Sequence, residues 1–521
     1  MRTEPDHDVA TLTRNVAWLL GTRMITMAIG LLGLPILMST LGLLQFGAWA
    51  VLLGGTFAFG TLELGMSSAV MRWTTLALMP ESERFGAHDI NAIMSNSLAC
   101  AVAVFALAGI PLFTLADPLA AWLNLPATEW FSAGQCIIIV YSTVTIMALL
   151  RCTVAPILAA RRMDVHAGFI TLQSIVGAAA TWGVAWSTRR LDMVLVANAV
   201  AIITVQVFAA LWTRRRMPWR LAPGTLDMGL ARAMLSYGIA LQFSDLSTFV
   251  MYQFDKLIIS GVVSPVEVTH YEVASRSAQA LGSISSAPFI AFTPSLTERH
   301  GRREDPSADL LRMLRLTVLG TGFFLLLPLA VSRLGLFAWV GQIGYHAAAT
   351  FALLALSVIS TTLIMPLSIS AQAMGRASME FTRAAAAMII NVPASVLLIS
   401  AYGKEGAALG TLIACVVANS LFAWWLLHTL ALGWQRVIAA LRSLFTPILT
   451  TTLVVALLAR AAEPLVLQSR WYMAPVAAVL YALGVLGLMV WLWRSDALRE
   501  EERALMSSLR NKWLRAGGRA A

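Results

Sequence analysis

The chain has 521 residues, 58% hydrophobic and 12% charged, with a mean hydropathy of +0.75, which excludes an ordinary soluble globular protein. Its formal net charge is +10, but the basic residues follow the two sides of a membrane instead of forming a nucleic-acid-binding block, so no nucleic-acid partner is expected. The four cysteines and seven histidines are scattered without ligand spacing, so neither a metal site nor a disulfide nor a cofactor is expected.

Residues 1–15, MRTEPDHDVATLTRN, are polar, and the apolar run behind them is longer than a signal-peptide core and lacks a cleavage site. The N-terminus is therefore expected to stay, on the cytoplasmic side. Fourteen apolar stretches follow, at 16–38, 46–71, 91–115, 133–159, 165–187, 192–213, 236–263, 267–293, 314–340, 347–373, 379–402, 405–430, 443–461 and 472–493. At about 1.5 Å of rise per residue, each crosses a hydrocarbon core about 30 Å thick. The runs are continuous rather than alternating, which excludes a β-barrel. The expected fold is an all-α polytopic membrane protein of about 14 transmembrane helices. On this topology roughly 27 of the 37 Lys and Arg lie on cytoplasmic loops and tails and about 6 lie outside. The main exceptions are Arg189, Arg190, Arg460 and Arg470.

No connecting segment exceeds about 30 residues, too short for a soluble catalytic domain. The chain is expected not to be an enzyme and to have no catalytic residues. The basic elbow RRRMPWR at 214–220 divides it after six helices. STLGLLQFGAW at 39–49 has a counterpart in ISGVVSPVEVTHY at 259–271, and AARRM at 159–163 in AMGRA at 373–377. This common offset predicts two pseudo-symmetric six-helix lobes in the same orientation. The expected divisions are an N-lobe at 1–213, a cytoplasmic linker at 214–235, a C-lobe at 236–430, an appended helix pair at 431–493 and a cytoplasmic tail at 494–521. In the tail Leu498, Leu505, Leu509 and Trp513 fall near one face, which suits a helix on the inner membrane surface.

A charged side chain at the centre of a spanning helix costs on the order of 3 kcal/mol unless a partner or water compensates it. Arg23, Glu63, Arg151, Asp245, Asp255, Lys256, Glu272 and Arg276 all fall within predicted spans. By helical rise, Arg23, Glu63, Arg151 and Asp245 share a layer about 10–15 Å from the cytoplasmic boundary. Two pairings are expected from position, Arg23 with Glu63 and Glu272 with Arg276 one turn apart. Arg151, Asp255 and Lys256 require partners elsewhere or a hydrated interior, and Asp255 and Lys256 are expected in a wet wall near the outer mouth, with a gate bridge as the rival reading.

LGLLQFGAWAVLLGGTFAFGTLELGMSSAVMR at 41–72 and FDKLIISGVVSPVEVTHYEVASRSAQAL at 254–281 resemble the polysaccharide (oligosaccharide-lipid) flippases of the multidrug/oligosaccharidyl-lipid/polysaccharide exporter superfamily. The resemblance covers roughly residues 14–430. It implies two six-helix lobes that open a central cavity to each side of the bacterial inner membrane in turn. It further implies a polyprenyl-diphosphate-linked oligosaccharide as substrate, with membrane lipids and other polysaccharide assembly proteins as partners. Proton, sodium or membrane-potential coupling would drive the cycle. Arg23 and Arg276 match the cavity arginines of such proteins by position and type, Lys256 and Asp255 match a polar pair at the outer end of the seventh helix, and Arg72 matches a basic position at the inner end of the second. Substrate binding is thus expected of Arg23, Arg276, Lys256, Arg72 and Arg151, and coupling or gating of Glu63, Asp245, Asp255 and Glu272. The alternatives are a cation-coupled multidrug exporter of the same superfamily and, in another class, a membrane glycosyltransferase or polymerase.

Overall fold

The computed structural model describes residues 5–79, 89–160, 162–286, 307–430, 432–466, 470–495, 497–500 and 502–503. No strand occurs among them. Ten helices are long and apolar enough to cross a membrane. Two of these are double passes. The first helix, α1 (Pro5–Gly60), bends at Gly42 (φ 77°), and the later Ala377–Thr429 bends at Gly403 (φ 58°). Both bends fall where the apolar pattern separates adjacent spans, at backbone angles that only glycine tolerates. Met228–Phe249 with its continuation to Val262, and Pro265–Ser286, supply the remaining passes of an all-α, multi-pass membrane protein. They are less apolar because Asp245, Asp255, Lys256, Glu272 and Arg276 lie in them.

The chain divides into two compact units, Met1–Glu272 and Val273–Ala521. In the first, α1 is followed by α2 (Met66–Ala77), α3 (Ile90–Trp122), α4 (Ala133–Val154), α5 (Met163–Thr188), α6 (Leu191–Arg216), α7 (Met228–Phe249), α8 (Asp255–Val262) and the start of α9 (Pro265–Ser286). Ser132 opens α4 with a reciprocal capping box to Gln135. The segment 217–227 is strapped to α3: Asn91 accepts from the Arg220 N–H at 2.6 Å, Ser95 from Ala222 at 3.0 Å and Asn96 from Asp227 at 3.0 Å. Asp227 then caps α7 through the Gly229 N–H.

The second unit continues with α10 (Ser307–Thr321), α11 (Ser332–Val340), α12 (Gln342–Ala373), α13 (Ala377–Thr429), α14 (Trp434–Val466) and α15 (Arg470–Arg494). The last pair packs against the rest of this unit. Leu444 and Ile448 of α14 and Leu488 and Leu492 of α15 share one apolar core with Leu310 and Phe337. The tail is drawn into the same core, where Leu498 is buried; Leu505, Leu509 and Trp513 lie outside the described residues. Arg315 of α10 is also buried and donates to both carboxylate oxygens of Glu502 at 2.7 and 2.8 Å and to the Ala497 carbonyl at 2.6 Å. These bonds satisfy a guanidinium that would otherwise be too costly to bury.

Candidate functional site

The second pass of α1 does not run on as the single helix that its apolar pattern predicts. It ends in a short 3-10 turn, Thr61–Glu63, and Leu64 (φ 49°) and Gly65 (φ 63°) both adopt left-handed backbone before α2 begins. A left-handed leucine is a strained residue, held only where the surroundings require it. Here α7 crosses the break at contact distance. The Gly65 N–H donates to Gln242 Oε1 at 2.7 Å, and a Cβ on Gly65 would lie 2.4 Å from the Gly238 carbonyl oxygen. The break frees backbone polar groups at a depth where α-helix would otherwise consume them, the usual form of a polar site inside a membrane protein.

Glu63 stands at this break. Its Oε1 accepts from the hydroxyl and the N–H of Ser67, and its Oε2 lies 3.4 Å from Arg151 of α4. The partner expected for Glu63 was Arg23; the geometry gives it Arg151. Thr22 and Thr26 on α1 bond to α5, Thr22 to Thr171 at 2.9 Å and Thr26 to Ser174 at 3.4 Å. Arg23, the next residue after Thr22 and about 100° around the helix from it, is exposed. Arg151 also borders a cavity of about 230 Å³ between α1, α4, α5 and α6, with Thr56, Thr143, Gln173 and Asn198 as its polar lining. Arg72 on α2 is exposed as well, its guanidinium carbon 4.4 Å from the Tyr237 ring and 5.3 Å from Trp73. Stacking on aromatic faces holds a cation in place without consuming its N–H donors.

Asp255 and Lys256 lie in the opposite kind of environment. They follow a π-helical turn, Val250–Phe254, which inserts an extra residue into the helix and turns Gln253 inward. Lys256, 1% exposed, donates to Gln253 Oε1 at 2.6 Å and forms an ion pair with Glu272. Tyr271 donates its hydroxyl to Asp255 Oδ2 at 2.8 Å. All four side chains, Asp255, Lys256, Tyr271 and Glu272, are buried. In place of the wet wall expected around this pair, Lys256 pairs with Glu272 and Asp255 accepts from Tyr271 inside protein packing in this conformation. Position suggests Arg276, one turn along α9, as a partner for Glu272, and Glu272 engages Lys256 from the neighbouring helix. Arg276 is half-buried. Asp245 lies on α7, and its side chain is outside the described residues.

The hairpin carrying these charges is closely fitted to the rest of its unit. A Cβ on Gly47 would fall 1.8 Å from the Pro265 carbonyl oxygen, Thr269 donates to the Leu43 carbonyl at 2.7 Å, and Asn124 donates to the Ser260 carbonyl at 2.9 Å. Gln242, Gln253, Tyr237 and Tyr271 carry no formal charge, so the pattern of charges in apolar runs does not reveal them. The available signal was weaker, namely amide and phenol groups inside apolar runs, which need partners when buried.

Solved structures share this fold, among them the following two. The inward closed conformation of the lipid II flippase MurJ superposes with a TM-score of 0.68 at 12% identity, covering 92% of this chain and 99% of that one. The inward-facing conformation of a multidrug resistance MATE family transporter of the MOP superfamily gives 0.57 at 17% identity, covering 80% and 98%. No curated protein matches the chain in sequence. The profile of the polysaccharide biosynthesis protein family matches residues 12–300, more than half of the chain and all of the elements that carry Arg23, Glu63, Arg72, Arg151, Lys256 and Arg276. The chain belongs to the polysaccharide biosynthesis protein family.

Proposed function

We propose that this protein is a flippase that carries a polyprenyl-diphosphate-linked oligosaccharide from the cytoplasmic to the outer leaflet of the bacterial inner membrane. The mechanism in this reading is alternating access between two pseudo-symmetric six-helix lobes, with both termini in the cytoplasm. The glycan would serve a surface polysaccharide such as O-antigen, capsule or exopolysaccharide, with other assembly proteins acting before and after the step. Connecting segments too short for a catalytic domain favour transport over glycosyl transfer.

One observation carries the reading. Among the candidate residues whose side chains are described, the arginines Arg23, Arg72 and Arg151 are exposed and Arg276 is half-buried, whereas the carboxylates Glu63, Asp255 and Glu272 are buried. Guanidinium groups are offered and carboxylates withheld, the polarity that suits an anionic substrate. A diphosphate carries about two negative charges, and arginine binds phosphate oxygens bidentately with charge-assisted hydrogen bonds. In this scheme Arg23, Arg72 and Arg151 receive the diphosphate, Arg276 takes it further along, and the cavity beside Arg151 offers hydroxyl and amide groups to sugar. Lys256, Asp255 and Glu272 form a gate bridge whose opening would release Lys256 to the substrate path, and Glu63 and Asp245 serve coupling to protons, sodium or membrane potential. A cation-coupled multidrug exporter requires the reverse polarity, with an open carboxylate.

The test is reconstitution of the purified protein in liposomes that contain a polyprenyl-diphosphate oligosaccharide on one leaflet. Appearance of the glycan on the other leaflet supports the proposal. Efflux of organic cations with no movement of the lipid-linked sugar would replace it with the exporter reading.

A further inference from the structure

A second cavity lies wholly within the second unit, far in sequence from the residues used above. It is a trough of about 480 Å³ between the Leu329–Leu334 segment, α12 and α14. Its floor and walls are small and apolar: Ala348, Ala349 and Ala352 from α12, and Leu449, Leu453 and Ala456 from α14. Leu449 and Leu453 are more than half exposed. At one end the trough is rimmed by Arg333, Arg460 and Glu463.

The rim is unbalanced in charge and in exposure. Two guanidiniums share one carboxylate, with Arg333 at 3.3 Å and Arg460 at 3.5 Å from Glu463. The carboxylate is 10% exposed, while Arg333 and Arg460 are 41% and 68% exposed. Each arginine uses a single terminal nitrogen towards Glu463, so most of the five N–H donors on each remain directed elsewhere. Arg333 is steadied against the Tyr345 ring at 4.9 Å. On the orientation expected from the charge bias this is the outer end of the helices, where basic residues are disfavoured. Two arginines kept there, at the mouth of an apolar trough open to the hydrocarbon, match a ligand with one acyl chain to lay in the trough and one phosphate to place between the guanidiniums.

We infer that this trough is a binding site for an anionic glycerophospholipid, seated with its phosphate on Arg333 and Arg460 and an acyl chain along α14. Glu463 orients the two arginines and lowers the affinity it makes possible. The lipid lines the seam between α14 and α12. This is a resident site, separate from the transport path, and it does not depend on which substrate the protein carries.

The full-length protein, purified in mild detergent, is to be tested by native mass spectrometry and thermal melting with dioleoyl phosphatidylglycerol and dioleoyl phosphatidylcholine. Phosphatidylglycerol is expected to be retained in preference and to raise the melting temperature. Each arginine near a membrane surface changes affinity for an anionic headgroup about fivefold, so Arg460→Gln should lose about that factor, Arg333→Gln/Arg460→Gln should abolish the preference, and Arg460→Lys should keep most of it. Glu463→Gln should bind more phosphatidylglycerol than the unchanged protein. The lipid-free melting temperature of each variant reports folding separately. Equal retention of the two lipids, a preference that survives the double substitution, or a Glu463→Gln variant that loses lipid as the arginine variants do would each overturn the site. So would reproduction of the shift by inorganic phosphate at equal concentration, or displacement of phosphatidylglycerol by a lower concentration of polyprenyl phosphate.

Discussion

Arg151 and Glu63 lie 3.4 Å apart, yet the arginine side chain is 52% exposed and the glutamate 9%. The pair is an arginine positioned by a carboxylate, with most of its donors left available, rather than a sealed salt bridge. Arg151→Ala should therefore lower transport of a diphosphate-linked substrate at least tenfold, the scale of a lost charge-assisted hydrogen bond. Glu63→Gln, assayed with no imposed ion gradient or membrane potential so that its coupling role is not read, loses the positioning contact and should stay within about fivefold. Initial rates in proteoliposomes at matched protein density decide the point; equal losses would make the pair a structural unit.

Lys256 and Glu272 give the opposite case, because both are buried. Removing one partner of a buried ion pair leaves an uncompensated charge and costs about 3–5 kcal/mol. Lys256→Ala should lower the melting temperature strongly, and the double variant Lys256→Met/Glu272→Gln should recover most of the loss. A single variant as stable as the unchanged protein would show that the bridge is absent in the dominant conformation.

Close backbone approach makes Gly47 a sharper probe of the same region. A Cβ there would meet the Pro265 carbonyl oxygen at 1.8 Å, whereas a Cβ on Gly60 meets nothing within 4 Å. Gly47→Ala should destabilise by about 1–3 kcal/mol, as overpacking does, and Gly60→Ala should be close to neutral. The comparison needs only two melting curves.

The tail gives a pH dependence. Burial pushes the Glu502 carboxyl up, but hydrogen bonds from Arg315 and the Arg499 backbone, together with their charges, outweigh it and leave Glu502 below its ordinary value. A depressed folded value means that this contribution is present above the unfolded value of about 4.3 and is lost as pH falls through the folded one. The melting temperature should fall as pH is lowered from about 5. Glu502→Gln should start lower at neutral pH and show a flatter profile.

Much of the architecture was legible because hydropathy in a membrane protein reports element length directly. Gly42 and Gly403 fall in the gaps between predicted spans, and eight of the candidate charges stand out as violations of an apolar pattern. Pairing was less legible. Helical spacing points only to partners on the same helix, whereas Lys256, which follows the π-helical turn at 250–254, pairs with Glu272 on the next one. Likewise, ELGM reads as ordinary helix, and nothing local announces that Leu64 adopts a left-handed backbone; α7 imposes that from 177 residues away in sequence, through Gln242.

That interruption has a mechanical corollary. Two successive left-handed residues uncouple the axis of α2 from the rod above it, so a small swing of α2 need not bend residues 43–60. The crossing of Gly65 and Gly238 supplies the fulcrum, because neither backbone has a side chain to slide past the other. Glu63 lies at the tip of this lever, so a movement of α7 would be felt there as a change in how firmly Arg151 is tethered.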